Sequence, residues 1–201
     1  MKKLDIAKAT IKNNGGIAKT AQLNEVGIQN SEIKKMCESG EIERVKHGYY
    51  QVVKQMEISE EQMIATFIEE GIVCMESALF YYGYSDKTPL LWTIAVPRKI
   101  SRSKIKIDSL PCKVYYVQED KIDIGKTEGI FNGIKLPVYD RERTICDCFK
   151  HKSKMDNEMF NKAIHAYVSD NNKNLSNLSK YSKEMRVYKR VTELMEVMLN
   201  G

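Results

Sequence analysis

Near the N-terminus of this 201-residue chain, two groups of side chains suited to hydrogen bonding and phosphate contact lie close together. Gln29, Asn30, Ser31, Lys34 and Lys35 form one group, and Arg44, Lys46 and His47 form the other. Their chemistry is recognition rather than bond making. Lys and Arg neutralise phosphates, while Gln, Asn and Ser donate and accept hydrogen bonds at base edges. A third group, Arg98, Lys99, Arg102 and Lys104, falls in residues 97–106, which hold five cations and no acid. There Ser101 and Ser103 add neutral donors between arginines that can fork a phosphate. These residues are the candidate DNA contacts. A further basic run, Lys180, Lys183, Arg186, Lys189 and Arg190, reads as a helix face or as a plain solvated surface.

The first two groups need elements to hold them. Residues 18–24 read as a short helix, 26–28 as a turn, 31–39 as a second helix and 41–53 as a hairpin. In the second helix Ile33, Met36 and Cys37 share an apolar face that can dock on a core, leaving Ser31 and Lys35 nearly opposite and Lys34 on the flank. Gly40 suits the position just past the helix end. In the hairpin Val45 separates Arg44 from Lys46, so strict alternation puts both cations on one face, and His47-Gly48 supplies the turn. Residues 3–13 form a preceding helix, with Leu4, Ala7 and Ile11 on one face and Lys8 and Lys12 on the other; Asn13 to Gly16 stops it. Three helices and a hairpin make a winged helix-turn-helix. Some such domains bind protein, so a docking module that inhibits a partner is the competing reading.

The rest of the chain reads as an α+β domain, a small mixed sheet flanked by helices. The expected division is 1–55 for the winged helix-turn-helix and 56–201 for the second domain, with residues 54–58 as linker. Ser59 opens a helix with Met63, Ile64, Phe67 and Ile68 on its buried face, and another runs over 75–82. Strands are expected at 91–96, 104–107 and 113–117, with a hairpin over 129–138 turning at Asn132-Gly133. Helices follow at 141–151, with Ile145, Cys148 and Phe149 inward, then at 156–168 and 184–199. Tyr81, Tyr82 and Tyr84 read as packing residues rather than a base-stacking platform.

Other chemistries fail on spacing. Gly125-Lys126-Thr127 resembles the end of a phosphate-binding loop, but the glycine required upstream is Asp120. Cys146 and Cys148 point about 200° apart on a helix and cannot chelate one ion. Asp140 and Glu142 suit a helix start, and no nucleophile motif accompanies His47, His151 or His165. The reading is therefore not an enzyme, with no metal and no cofactor.

Net charge is +5, which permits a phosphate-binding surface without requiring one. Residues 1–55 hold ten Lys or Arg against six Asp or Glu, whereas 56–201 hold twenty-two against twenty-one. The excess belongs to the first domain. Five cysteines without framework spacing, no signal peptide and no membrane-length apolar run imply reduced thiols in a cytoplasm. Asn174-Leu175-Ser176 and Asn177-Leu178-Ser179 are then chance matches to glycosylation acceptors.

The segments Gly16 to Leu23, Gly27-Ile28 and Gly40-Glu41-Ile42-Glu43-Arg44-Val45-Lys46-His47-Gly48-Tyr49-Tyr50 resemble the winged helix of the AbiEi family. Ser77-Ala78-Leu79 with Gly83, and Val138-Tyr139-Asp140-Arg141-Glu142-Arg143-Thr144-Ile145-Cys146-Asp147, resemble its C-terminal domain. That resemblance implies an antitoxin of a type IV toxin–antitoxin, abortive-infection (phage-defence) system. It implies repression of its own operon at inverted repeats in promoter DNA, with self-association on DNA. It also implies neutralisation of a nucleotidyltransferase-like toxin without a stable complex. The DNA contacts would be Gln29, Asn30, Ser31, Lys34 and Lys35 on the recognition helix and Arg44, Lys46 and His47 on the wing. Antitoxic activity would belong to the second domain.

Overall fold

The computed structural model describes residues 2–53, 58–105 and 110–200, with backbone only at 103, 104, 199 and 200. It divides into Met1–Thr66 and Phe67–Gly201. The proposed linker at 54–58 lies, apart from Ile58, outside the described residues.

In the first unit α1 (Lys3–Asn13) runs over the predicted span, burying Ala7 and Ile11. Its end turns through Gly15 and Gly16, at φ +74° and +95°, where a Cβ would be strained. The second helix, α2 (Thr20–Glu25), begins two residues later than its sequence suggests. Ala18 and Lys19 instead form β1 (Ala18–Lys19), which pairs with Tyr50 and Tyr49 of β3 (Tyr49–Val52). The return strand of the wing thereby gains a partner on its outer side. Then come α3 (Asn30–Glu38) and β2 (Ile42–Lys46), giving a sheet in the order β1-β3-β2. Ala7, Ile11, Ala18, Leu23, Ile28, Ile33 and Ile42 form one core beneath these elements.

Helix α4 (Glu60–Phe67) spans the division between the units, and the Ser59 hydroxyl accepts from the Gln62 N–H at 3.2 Å, as the capping signal implies. The second unit is built on a five-stranded mixed sheet. Its members are β4 (Ile72–Val73), β5 (Trp92–Pro97), β6 (Cys112–Val117), β7 (Lys126–Phe131) and β8 (Ile134–Tyr139), in the order β6-β5-β4-β8-β7. Strands β5 and β6 are parallel. The chain must travel back between them, so the segment after β5 cannot be a neighbouring hairpin strand. The strand expected at 104–107 is thus corrected: α6 (Arg102–Ile105) is a helical turn on the return path, and 106–109 lie outside the described residues. Asn132 and Gly133, at φ +48° and +83°, make the expected two-residue turn between β7 and β8.

Helix α5 (Met75–Tyr81) precedes β5, and α7 (Arg141–His151) follows β8. Tyr82 donates to the Tyr139 carbonyl at 3.0 Å and Tyr81 stacks on Phe131, which are packing roles. Helix α7 has Ile145, Cys148 and Phe149 buried as expected, but Glu142, Arg143, Thr144 and Asp147 are buried with them. Arg143 satisfies its guanidinium on Asp147 (3.2 Å), the Lys121 and Ile124 carbonyls (2.8 Å each) and the face of Tyr139. Gly125 passes so near that an added Cβ would meet the Arg143 Cβ at 2.4 Å. After α8 (Asn157–Ser169), α9 (Leu175–Glu184) is an additional helix, and the helix expected over 184–199 begins later, as α10 (Tyr188–Asn200). The break buries both Met185 and Val187, with Arg186 between them at φ +61°. Arg186 is therefore off the helix that carries Lys189 and Arg190, and Arg190 turns inward to the Phe149 carbonyl at 3.0 Å. The shared basic face does not form.

Two predictions follow from this packing. Replacing Arg143 with Met strands Asp147 in the interior, and removing one member of a buried pair costs about 3–5 kcal/mol. A urea titration followed by fluorescence of Trp92, the only tryptophan, should show that loss, with partial recovery in Arg143→Met/Asp147→Leu. The second concerns Asp170, which accepts from the Tyr84 hydroxyl (2.6 Å), the Asn172 N–H (2.7 Å) and Arg141 (2.8 Å). The Tyr84 hydrogen bond, joined by the others, holds its carboxyl at about 2 against an ordinary 3.8. A depressed folded pKa contributes stability above the unfolded value and loses it as pH falls through the folded one. The stability difference between wild type and Asp170→Asn should be full above pH 4 and close as pH falls toward 2, read by urea titrations across that range.

Candidate nucleic-acid interface

Helix α3 takes its position from its buried side. Ile33 is 2% exposed, and Met36 and Cys37 are half-buried against the same core. Asn30, Ser31, Lys34 and Lys35 are consequently exposed. The Glu32 carboxylate accepts from the Gln29 N–H at 2.9 Å, closing the helix start, and also meets Lys3 of α1 at 2.6 Å. The Lys3 hydrogen bond and the backbone bond lower the Glu32 pKa, so its acid is engaged within the protein. Gly27, at φ +84°, makes the turn from α2, and Asn24, Gly27, Ile28, Gln29, Asn30 and Ser31 line a recess at the start of α3. Asn24 was not among the candidates; a polar residue at the end of the first helix is its only sequence signal. Lys8 pairs with Glu41 at 2.5 Å, tying α1 to the entry of the wing.

On α3 the basic character is partly spent. Lys34 pairs with Glu38 at 3.7 Å, with both side chains well exposed, an arrangement worth little in water. Lys35 stands one residue further round the helix, exposed. In the wing, Arg44 lies opposite Tyr50 but Lys46 lies opposite Tyr49, so Val45 is an extra residue in a bulge. The bulge breaks the alternation that would put Arg44 and Lys46 on one face. Arg44 and His47 are exposed, whereas Lys46 is half-buried, and burial lowers its pKa. Gly48, at φ +80°, completes the turn.

Arg98, Lys99 and Arg102 belong to the second unit and are exposed there. The Lys99 N–H donates to Glu119 at 3.0 Å and its ammonium lies 3.5 Å from Glu70, so acids border this loop in space though not in sequence. The Lys104 side chain lies outside the described residues. Asp140, Glu142 and Asp147 do not converge on a shared opening. Asp140 caps α7 by accepting from the Arg143 N–H at 2.8 Å; Glu142 accepts from Tyr167 (3.2 Å) and the Asn174 N–H (2.7 Å); Asp147 is held by Arg143. Among the described residues no group of three or more His, Cys, Asp or Glu could hold a metal ion, and no helix is long and apolar enough to cross a membrane.

Comparison with known proteins agrees with this geometry. Residues 5–53, which include α1, α2, α3 and the hairpin, match the family model described as "Transcriptional regulator, AbiEi antitoxin". No curated protein matches the chain. Among solved structures it is similar to the crystal structure of the RV2827C protein from Mycobacterium tuberculosis. The TM-score is 0.62 at 12% identity, covering 89% of this chain and 70% of that one, a likeness of fold. Residues 5–53, the winged helix-turn-helix, are thus similar to the AbiEi antitoxin transcriptional regulators.

Proposed function

We propose that the protein is an autoregulatory antitoxin of a type IV, phage-defence system. It represses its own operon by binding inverted repeats in the promoter and counteracts a nucleotidyltransferase-like toxin without forming a stable complex with it. The observation that carries the DNA-binding part is the exposed face of α3, fixed from behind by Ile33 and set beside the wing in the unit that matches the family. Gln29, Asn30 and Ser31 read base edges at the N-terminal end of α3, as in other helix-turn-helix proteins. Lys34 and Lys35 flank them, and Arg44, Lys46 and His47 contact the backbone from the wing. Lys35 and Arg44 carry more weight than Lys34 and Lys46, because one of the latter is ion-paired and the other half-buried. Arg98, Lys99, Arg102 and Lys104 contribute phosphate contacts from the second unit, which is the antitoxin domain. The roughly defined division at 1–55 and 56–201 separates the two activities. The protein acts in the cytoplasm, without cofactor and without catalysing a reaction.

Titration of the full chain against the DNA upstream of its own gene, at several salt concentrations, tests this reading. Lys35→Glu and Arg44→Glu should each weaken binding at least tenfold and flatten the salt dependence by about one unit of slope. Unchanged affinity in both variants would overturn it, and a direct protein-docking role for the winged helix would replace it.

A further inference from the structure

The five-stranded sheet ends at β7, and the exposed edge of that strand has a definite pattern. Residue pairs run from Lys126 opposite Tyr139 to Phe131 opposite Ile134. The tight turn at 132–133 makes Phe131 and Ile134 a bonded pair, so 127 and 129 also bond toward β8, and 126, 128 and 130 turn outward. Pro137, which has no N–H, stands opposite Glu128, where none is needed. Two outward N–H groups are already occupied: that of Lys126 by the Asp123 carbonyl (3.2 Å) and that of Ile130 by the Tyr81 hydroxyl (3.3 Å). Among the described residues, the Glu128 N–H and the Lys126 carbonyl meet no partner and lie on the open edge.

We infer that this edge pairs with the same edge of a second copy, antiparallel about a two-fold axis at Thr127. In that register each Glu128 N–H donates to the partner's Lys126 carbonyl. The same step sets each Lys126 ammonium across from the partner's Glu128 carboxylate, so the strand is complementary to itself in hydrogen bonds and in charge. Moving the axis one residue to Glu128 would oppose two carboxylates. Lys126 and Glu128 have exposed partners on their own chain, Asp123 at 3.6 Å and Lys135 at 3.4 Å, and such surface pairs are readily shared or exchanged. Ile130, 54% exposed, then lies opposite position 124 of the partner, just beyond the paired residues 126–128. This inference is independent of DNA recognition by the first unit.

The test is sedimentation of the full chain over a concentration series at low salt. Mass should rise from one chain toward two and fall back as salt is added. Lys126→Glu and Glu128→Lys should each weaken association about tenfold, because two attractive pairs become repulsive. The double exchange Lys126→Glu/Glu128→Lys should restore it. Unaltered circular dichroism and Trp92 emission would verify that each variant is folded. Persistent monomer, equal association in the single variants, or failure of the double exchange to restore it would each overturn the inference. The salt response of the wild type decides the matter should a variant not fold.

Discussion

The placement of Ile33 governs the first unit. Its side chain closes a core with Ala7, Ile11, Leu23, Ile28 and Ile42, and burying one such side chain contributes about 1.5–3 kcal/mol. Orientation matters more here than magnitude. With Ile33 inward, the helical repeat leaves Ser31, Lys34 and Lys35 no choice but solvent. Polar ties then sharpen the arrangement. Glu32 closes the start of α3 while holding Lys3, and Lys8 holds Glu41, so α1 braces both α3 and the wing. Glu32 and Glu41, acids beside this surface, are thereby engaged within the protein.

The second unit is organised differently, around a cation inside its core. Arg143 is 1% exposed, and its partners come from the segment before β7, from β8 and from its own helix. Each is a carbonyl, a carboxylate or an aromatic face, so every partner favours the positive charge. The requirement reaches outward: Gly125 has to lack a side chain for the chain to pass over Arg143, and that turn delivers β7 to the sheet edge. A surface strand is thus positioned by an interior charge.

How much of this could be read from sequence differs by element, for physical reasons. Helices with a clean apolar stripe and a marked end, such as 3–13 with its glycine stop and 141–151 with Asp140 before it, coincide with α1 and α7, and Asn132-Gly133 marks its hairpin. These signals are local. The departures all depend on distant partners. Ala18 and Lys19 have no strand signature until Tyr49 and Tyr50 lie beside them. Residues 104–107 alternate as a strand would, yet the parallel pairing of β5 and β6 demands a return path after β5, and 102–105 form a helical turn. The break at Arg186 adopts a strained backbone to bury Met185 and Val187, which periodicity alone cannot reveal. Among the candidate contacts, Lys35 and Arg44 are exposed, as expected of long charged side chains. The bulge at Val45 and the acids around Lys99 become visible only in three dimensions.

Hydroxyl-radical footprinting of the full chain on the DNA upstream of its gene bears most directly on the central claim, that α3 and the wing read a specific operator. The expected result is protection over two copies of one short sequence in inverted orientation, their centres about 10 base pairs apart or a multiple of that. Protection should persist against excess unrelated DNA. Uniform protection that disappears with added salt, or no protection at all, would contradict sequence-specific recognition by this winged helix.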